Sequence, residues 1–321
     1  MNETDDAKPT HALRWGTGYC LLAALCYTGA NICLRHLAGL QMHPAWVNCV
    51  KETVSVAVVG PLLLWQFCQG VRYPVRTRTV FVLLVTAIGV QMIGSLGVQW
   101  SYGVTGLAVS VPVVFGTMLA TGAVLGVFLF GESLSFRSVL ATGTVIASVA
   151  LLCFGASGSS DSVMAAALSP SILTTLLAIA AAAVGGITFA CLGAAIRLAA
   201  KTQVSILITV FVVTGVGVVL LGSLSLMRLG FGEMLATDPQ VMAWMLAAGS
   251  CNLLGFLSIA KGLQLTTLVH ANVLNASQVA LGAAAGIFFF REPHSPALVC
   301  GVILTIAALL LNAPGAKTGR N

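Results

Sequence analysis

Charged residues are scarce in this 321-residue sequence. Asp, Glu, Lys and Arg make up only 7% of it, against roughly 25% in an average soluble domain. So few charges cannot build a water-soluble surface. Hydrophobic residues make up 58%, and apolar runs of about 20 residues, the length that crosses a hydrocarbon core of roughly 30 Å, recur along the whole chain. We therefore predict an integral membrane protein.

The sequence also lacks the patterns that several other protein classes need. Its 15 Lys and Arg residues include no basic run of five or more, which argues against a nucleic-acid partner. Its nine cysteines show no C-x-x-C spacing, and no phosphate-binding loop occurs. The polar segment 1–10 is followed by no small-residue cleavage site, so we expect no cleaved signal peptide. We expect no metal and no cofactor, and the lipid bilayer and a small-molecule substrate as partners.

Gly, Pro, Ser and charged residues divide the chain into ten apolar segments. These runs are too long and too uniform for the alternating strands of a membrane barrel, so each is predicted to be a helix. The third and fourth are separated only by residues 102–105. The fold class is therefore an all-α membrane protein with about ten spans, at roughly 15–35, 44–68, 79–101, 106–130, 136–155, 171–196, 203–227, 240–262, 266–290 and 296–312.

The distribution of positive charge predicts the orientation of these spans. With the N-terminus in the cytoplasm, eleven Lys and Arg residues fall on the inside and three on the outside, and Lys51 lies within the second span. Because cytoplasmic loops carry the excess of Lys and Arg, both termini are predicted to be cytoplasmic.

An internal repeat organises the ten spans into two sets of five. The segment FLFGESLS at 128–135 matches FFFREPHS at 288–295, and Tyr27 and Arg35 match Phe189 and Arg197 further upstream. The predicted units are repeats at 15–155 and 171–312, a linker at 156–170, and tails at 1–14 and 313–321. An odd number of spans per repeat makes the two repeats insert in opposite directions, an arrangement that recurs in transporters.

The aromatic end of a span followed by Gly131-Glu132, and its degenerate copy at Arg291-Glu292, resemble the EamA-type repeat of the drug/metabolite transporter superfamily. The resemblance covers nearly the whole chain. It implies a ten-helix inner-membrane carrier for small metabolites, commonly an exporter, with its substrate cavity between the two halves. Arg291 stands where the family usually has Gly, and Lys51 where the family often has Arg.

Polar residues inside the spans are the candidates for substrate binding, because a central charge costs roughly 2.5–3.5 kcal/mol on insertion scales and milder polarity also needs a partner. Each candidate either lines a cavity or joins helices by hydrogen bonds, and the sequence leaves both interpretations open. The candidates come from the first span (Tyr27, Asn31), the third (Gln91, Ser95, Gln99) and the ninth (Asn275, Gln278).

Three titratable residues are candidates for ion or proton coupling. Lys51 and Glu52 are adjacent in the second span, about 100° apart around a helix, so we expect them not to pair directly. Lys51 either functions in the site or extends to the lipid headgroups, and Glu52 either couples a proton or forms a structural ion pair. His270 either reaches the cytoplasmic interface or relays protons.

Two G-x-x-x-G pairs occupy equivalent places in the repeats, Gly122/Gly126 and Gly282/Gly286. Such pairs let helices approach closely in lipid. We expect packing at the repeat interface, with an oligomer contact as the alternative, so a monomer and a homodimer both stay open.

These observations predict a secondary transporter that works by alternating access and exports amino acids or related polar or amphipathic compounds. We expect it not to be an enzyme. One alternative is an intramembrane serine protease, with Ser157 in a G-x-S-G sequence and His270 as its base, although the two are predicted at opposite faces. A channel or a transport-inactive membrane partner is the other alternative.

Overall fold

A computed structural model describes residues 7–71, 76–131 and 172–290, together with single positions and short groups in 136–151 and 296–307. All regular secondary structure in the continuously described ranges is helical. The helices are α1 (Ala7–Gly39), α2 (Pro44–Cys68), α3 (Thr77–Gly89), the π-helix π1 (Val90–Ser95), α4 (Leu96–Phe130), α5 (Ile172–Lys201), α6 (Ile206–Leu235), α7 (Pro239–Leu265), α8 (Leu268–Asn275) and α9 (Ser277–Phe290).

Seven segments of the described chain are helices long and apolar enough to cross a membrane. The shortest has 22 residues and the longest 31, and at 1.5 Å per residue about 20 residues cover the hydrocarbon core. Large apolar side chains point away from the protein, among them Phe67 at 73% exposure and Phe128 at 83%. The prediction of an all-α, multi-pass membrane protein is confirmed at this level.

Local sequence signals explain where several helices begin and end. Pro44 starts α2, and the Nδ1 atom of His43 accepts a hydrogen bond from the backbone N–H of Ala45, because proline suits the first helical position and a polar side chain suits the cap. Asp238 caps α7 in the same way ahead of Pro239. The second span therefore matches its predicted bounds.

Other predicted bounds differ from the observed ones. The third and fourth spans are joined without a loop, because Gly106 takes φ 73° and turns the chain within α4. The single ninth helix predicted at 266–290 is wrong, since the chain breaks at Ala276 into the short helices α8 and α9. Helix α1 begins at Ala7, inside the predicted N-terminal tail, and α6 continues to Leu235.

The linker at 156–170 lies outside the described residues, as do half of the fifth predicted span and most of the tenth. The residues after Gly131 and after Phe290 that carry the rest of the repeated motif also lie outside them.

The long helices pack in antiparallel pairs that approach closely at small residues. Helix α1 packs along α7, where Tyr27 lies against Gly255. Helix α5 packs along α3, π1 and α4, where Thr188 lies against Gly94. Helix α2 packs against α6 and α7. Small residues allow such approach where lipid supplies no hydrophobic drive between helices.

Candidate functional site

A cavity of about 190 Å³, which we call the central cavity, lies among the helices. Its walls are formed by residues of α1, α2, π1, α4, α5, α6, α7, α8 and α9. Helices of both predicted repeats therefore contribute to it. All seven candidates for substrate binding line this cavity: Tyr27, Asn31, Gln91, Ser95, Gln99, Asn275 and Gln278. Lys51 and Glu52 line it as well. Binding of a substrate by these residues stays a prediction.

One hydrogen-bonded chain of side chains connects four helices across the cavity. The hydroxyl of Tyr102 donates to Asn31 Oδ1 at 3.2 Å, and Asn31 Nδ2 donates to Gln278 Oε1 at 3.4 Å. Gln278 Nε2 in turn donates to Asn275 Oδ1 at 2.7 Å. These hydrogen bonds join α1 and α4 of the first half to α8 and α9 of the second. A movement of one half relative to the other would therefore change their lengths.

The polar stripe of the third span makes hydrogen bonds of its own. Ser95 Oγ donates to Gln91 Oε1 at 3.3 Å, and Gln91 Nε2 donates to the carbonyl of Val213 at 3.4 Å. Gln99 Nε2 donates to the carbonyl of Leu34 at 3.1 Å. Gln91 and Ser95 belong to π1, and short π-helical segments within α-helices are frequent at functional sites.

Lys51 and Glu52 form an ion pair, contrary to the expectation from helix geometry. Lys51 Nζ lies 3.1 Å from Glu52 Oε1, and the two side chains are only 9% and 4% exposed. The expectation was wrong because it considered the Cβ directions alone, whereas the long lysine side chain can fold back across the 100° between neighbours. In an apolar surrounding, the attraction between opposite charges favours that conformation.

Glycines of the neighbouring helices make room for this ion pair. A Cβ atom at Gly217 of α6 would lie 2.8 Å from Glu52 Cγ and 2.8 Å from Gln91 Nε2. A Cβ atom at Gly249 of α7 would lie 2.8 Å from the carbonyl oxygen of Lys51. The charged turn of α2 is thus enclosed by bare backbone on two sides.

Several residues of the cavity are not among the candidates predicted from the sequence. Asn48 lies one turn before Glu52 on α2, and Tyr102 lies one turn after Gln99, so extending each polar stripe by a turn would have found both. Asn252 and Asn272 also line the wall. The Nδ2 atom of Asn272 is buried and has no hydrogen-bond partner among the described residues.

His270 lies away from the lining of this cavity. Its Nε2 atom is 3.1 Å from Thr17 Oγ1, near the N-terminal end of α1, and the ring is half-buried. Ser157, the other residue of the protease alternative, lies outside the described residues.

The structure places three of the four glycines of the G-x-x-x-G pairs in buried positions. Gly122 lies against the Asn272 side chain, and Gly282 faces Val111, so each of these two contacts the other half of the chain. Gly126 is buried in α4, and Gly286 belongs to α9.

A second cavity, of about 730 Å³, lies at the end of the molecule where α1 meets α2 and α6 meets α7. We call it the vestibule. Its lining includes Gln41, His43, Trp46, Trp100, Glu233 and Asp238. Trp46 Nε1 donates to Thr237 Oγ1 at 2.9 Å. Gln99 lines both the vestibule and the central cavity, so it stands between them.

Comparison with solved structures shows a shared fold. There are 28 matching chains, and one, described as "Crystal structure of protein", has a TM-score of 0.67 over 93% of this chain and 96% of its own, at 17% sequence identity. At that identity the likeness concerns the fold alone. No protein-family model matches the sequence, and no curated protein matches it.

Proposed function

We propose that this protein is a secondary transporter of small metabolites that works by alternating access. The observation that carries the proposal is the central cavity, where buried polar side chains and an ion pair converge from many apolar helices. Central charges cost roughly 2.5–3.5 kcal/mol each on insertion scales, so such side chains in spans mark pathways for polar solutes.

The packing of the helices supports an arrangement as inverted repeats. If the first and second halves correspond, α1 is the counterpart of α5, and the third span is the counterpart of α7. The contact between α1 and α7 then has as its counterpart a contact between α5 and the third span, and both contacts are observed. Tyr27 lies against Gly255 in the first pair, and Thr188, the neighbour of the Tyr27 counterpart Phe189, lies against Gly94 in the second. Halves related in this way can exchange conformations and so exchange which side is open.

The size and chemistry of the cavity favour a small polar or amphipathic substrate. Its volume of about 190 Å³ lies below the roughly 300–1,000 Å³ of pockets for drug-sized ligands. The wall combines amides with Phe115, Phe189 and Phe256. Amino acids and related compounds fit this combination, and we propose that the protein exports them across an inner membrane, with both termini in the cytoplasm.

A carrier of the drug/metabolite transporter type fits these features better than a channel. The central cavity and the vestibule are separate, with Gln99 between them and its side chain bonded to the carbonyl of Leu34. A channel needs a continuous open path, whereas a carrier needs a barrier on one side in each state. Glu52 is our candidate for the group that couples transport to a proton.

Counterflow in proteoliposomes tests the proposal. Vesicles loaded with a mixture of unlabelled amino acids should accumulate labelled amino acids from outside, and the rate should saturate. Gln278→Ala breaks the chain from Asn31 to Asn275 and should reduce the rate severalfold.

Gln264→Ala is the matched control, because this exposed glutamine bonds to Lys261 and does not line the cavity. Conductance without saturation would favour the channel, and the absence of flux for every solute tested would overturn the proposal.

A further inference from the structure

The Lys51–Glu52 ion pair is the one ion pair among the described residues, and it lies on the wall of the central cavity. Its two charges sit side by side on a single helix. They are also largely removed from water. A wall of this kind presents a positive and a negative group to any ligand at the same time.

The pair is held by weak constraints. Helix geometry separates adjacent side chains by about 100°, so the contact exists only while the lysine folds back onto its neighbour. Within the described part of the chain, no other residue donates a hydrogen bond to the Glu52 carboxylate or accepts one from the Lys51 ammonium. Desolvating two charges is offset only when both are well paired. The two groups can therefore exchange partners when a ligand offers equal pairing.

We infer that the cavity selects ligands that carry a positive and a negative group close together, as the ammonium and carboxylate of a free amino acid do. On binding, the ligand carboxylate pairs with Lys51 and the ligand ammonium pairs with Glu52. This inference rests on the proposed transport function and names the class of substrate that the same site takes.

The expected selectivity follows from the number of charges that stay paired when a ligand binds. A zwitterion replaces one buried pair by two and leaves no charge unpaired. A ligand with only a positive group pairs with Glu52 and leaves Lys51 alone, and a ligand with only a negative group does the reverse. An unpaired buried charge is strongly unfavourable, so both singly charged classes bind weakly.

The rest of the cavity complements a zwitterion with an apolar side chain. Asn272 adds a polar side chain to the wall of the cavity. Aromatic and thioether side chains supply an apolar wall: Phe115, Phe189, Phe256 and Met118. Neutral amino acids with apolar side chains are thus the favoured members of the class.

Calorimetry on the full-length protein in lipid nanodiscs tests the selectivity. The probes are phenylalanine, its methyl ester, which keeps only the positive charge, and N-acetylphenylalanine, which keeps only the negative one. A parallel series uses leucine. We expect each free amino acid that binds to do so at least about tenfold more tightly than both of its singly charged derivatives.

Two variants should change the selectivity in opposite directions. Lys51→Gln leaves the carboxylate of Glu52 and should favour the methyl ester over the N-acetyl form by about tenfold or more. Glu52→Gln leaves the ammonium of Lys51 and should favour the N-acetyl form equally. A merely structural role would weaken all three probes together. Lys261→Gln is the control, since Lys261 bonds to Gln264 at the surface.

If a single variant fails to fold, the double variant Lys51→Gln/Glu52→Gln replaces it, and it should bind the three forms with similar, weak affinity. Equal affinity of the wild-type protein for the three forms would overturn the inference. So would variants that shift in the same direction, or failure of the wild-type protein to bind either free amino acid. Saturable flux of other solutes would in that last case leave the transport function standing.

Discussion

The central cavity and the vestibule differ in how their polar groups are exposed to water. The central cavity is the smaller, at about 190 Å³ against about 730 Å³. Its amides and charges are mostly buried and bond to one another across helices. The carboxylates of the vestibule, Glu233 and Asp238, belong to exposed residues.

The exposure of a polar group determines how much free energy its removal costs. Exposed charges are solvated and screened by salt, so their loss changes binding by little. Buried polar groups have given up water, and removal of one partner leaves the other unsatisfied. We therefore expect discrimination between ligands in the central cavity and only passage through the vestibule.

Removal of one member of the ion pair should have the largest effect. Glu52→Ala leaves the Lys51 ammonium unpaired, and breaking a buried ion pair costs about 3–5 kcal/mol, less where water enters the cavity. The melting temperature in nanodiscs should fall clearly, and counterflow should be lost. Lys51→Ala should behave similarly.

The double variant Lys51→Ala/Glu52→Ala provides the decisive comparison, because it leaves no charge unpaired. It should be more stable than either single variant. Glu233→Ala, in the vestibule, should keep its stability. Equal destabilisation by Glu52→Ala and Glu233→Ala would remove the distinction between the two regions.

A smaller effect should follow from a methyl group beside the ion pair. Gly217→Ala places a Cβ atom 2.8 Å from both Glu52 and Gln91, and overpacking of this kind costs typically 1–3 kcal/mol. Gly215, two residues earlier on α6, has open space around it. Gly215→Ala should therefore be neutral or slightly stabilising in the same melting experiment. A similar loss for both variants would contradict close packing at Gly217.

The sequence predicts much of this region because polar residues in apolar spans need a reason. The seven substrate-binding candidates predicted on this ground all line one cavity. Pro44 likewise placed the start of the second span correctly. Both inferences use local signals, namely the cost of burying a polar group and the conformational limits of proline.

Tertiary packing decided what the sequence did not indicate. Ala276 interrupts the ninth span although alanine is a strong helix former, so no local signal announced the break. The Lys51–Glu52 contact depends on a flexible lysine side chain that is buried in the folded protein. The Cβ directions of the two residues describe neither that flexibility nor that burial. Asn252 joins the cavity although no polar residue lies one helical turn before or after it on α7, and a search for polar stripes overlooks such residues.

Opening the wall between the two cavities should have a moderate effect. Gln99→Ala removes the side chain that lines both and that bonds to the Leu34 carbonyl. In a background without native cysteines, Ser95→Cys should then react severalfold faster with a membrane-impermeant thiol reagent. Met42→Ala, which alters only the vestibule side, is the control. Unchanged labelling with Gln99→Ala would show that Gln99 is not the barrier.

The smallest effect should come from His43, at the rim of the vestibule. Burial lowers the pKa of His43, and the nearby Arg228 lowers it further. The folded protein therefore holds His43 neutral, which lets its Nδ1 atom accept the hydrogen bond that caps α2. As the pH falls below about 6.5, the ordinary pKa of histidine, the unfolded chain takes up the proton first and stability is lost.

Asparagine caps a helix without titrating, so His43→Asn should remove this part of the pH dependence. Between pH 7.5 and 5.5 the wild-type melting temperature should fall further than that of the variant. Counterflow at pH 7.5 should be the same for both proteins, because the neutral ring only caps a helix beside a hydrated vestibule. An equal pH response of the two proteins would mean that the cap does not sense the proton. A loss of transport by His43→Asn at pH 7.5 would instead mean that the vestibule takes part in ligand recognition. That result would contradict the assignment of recognition to the central cavity alone.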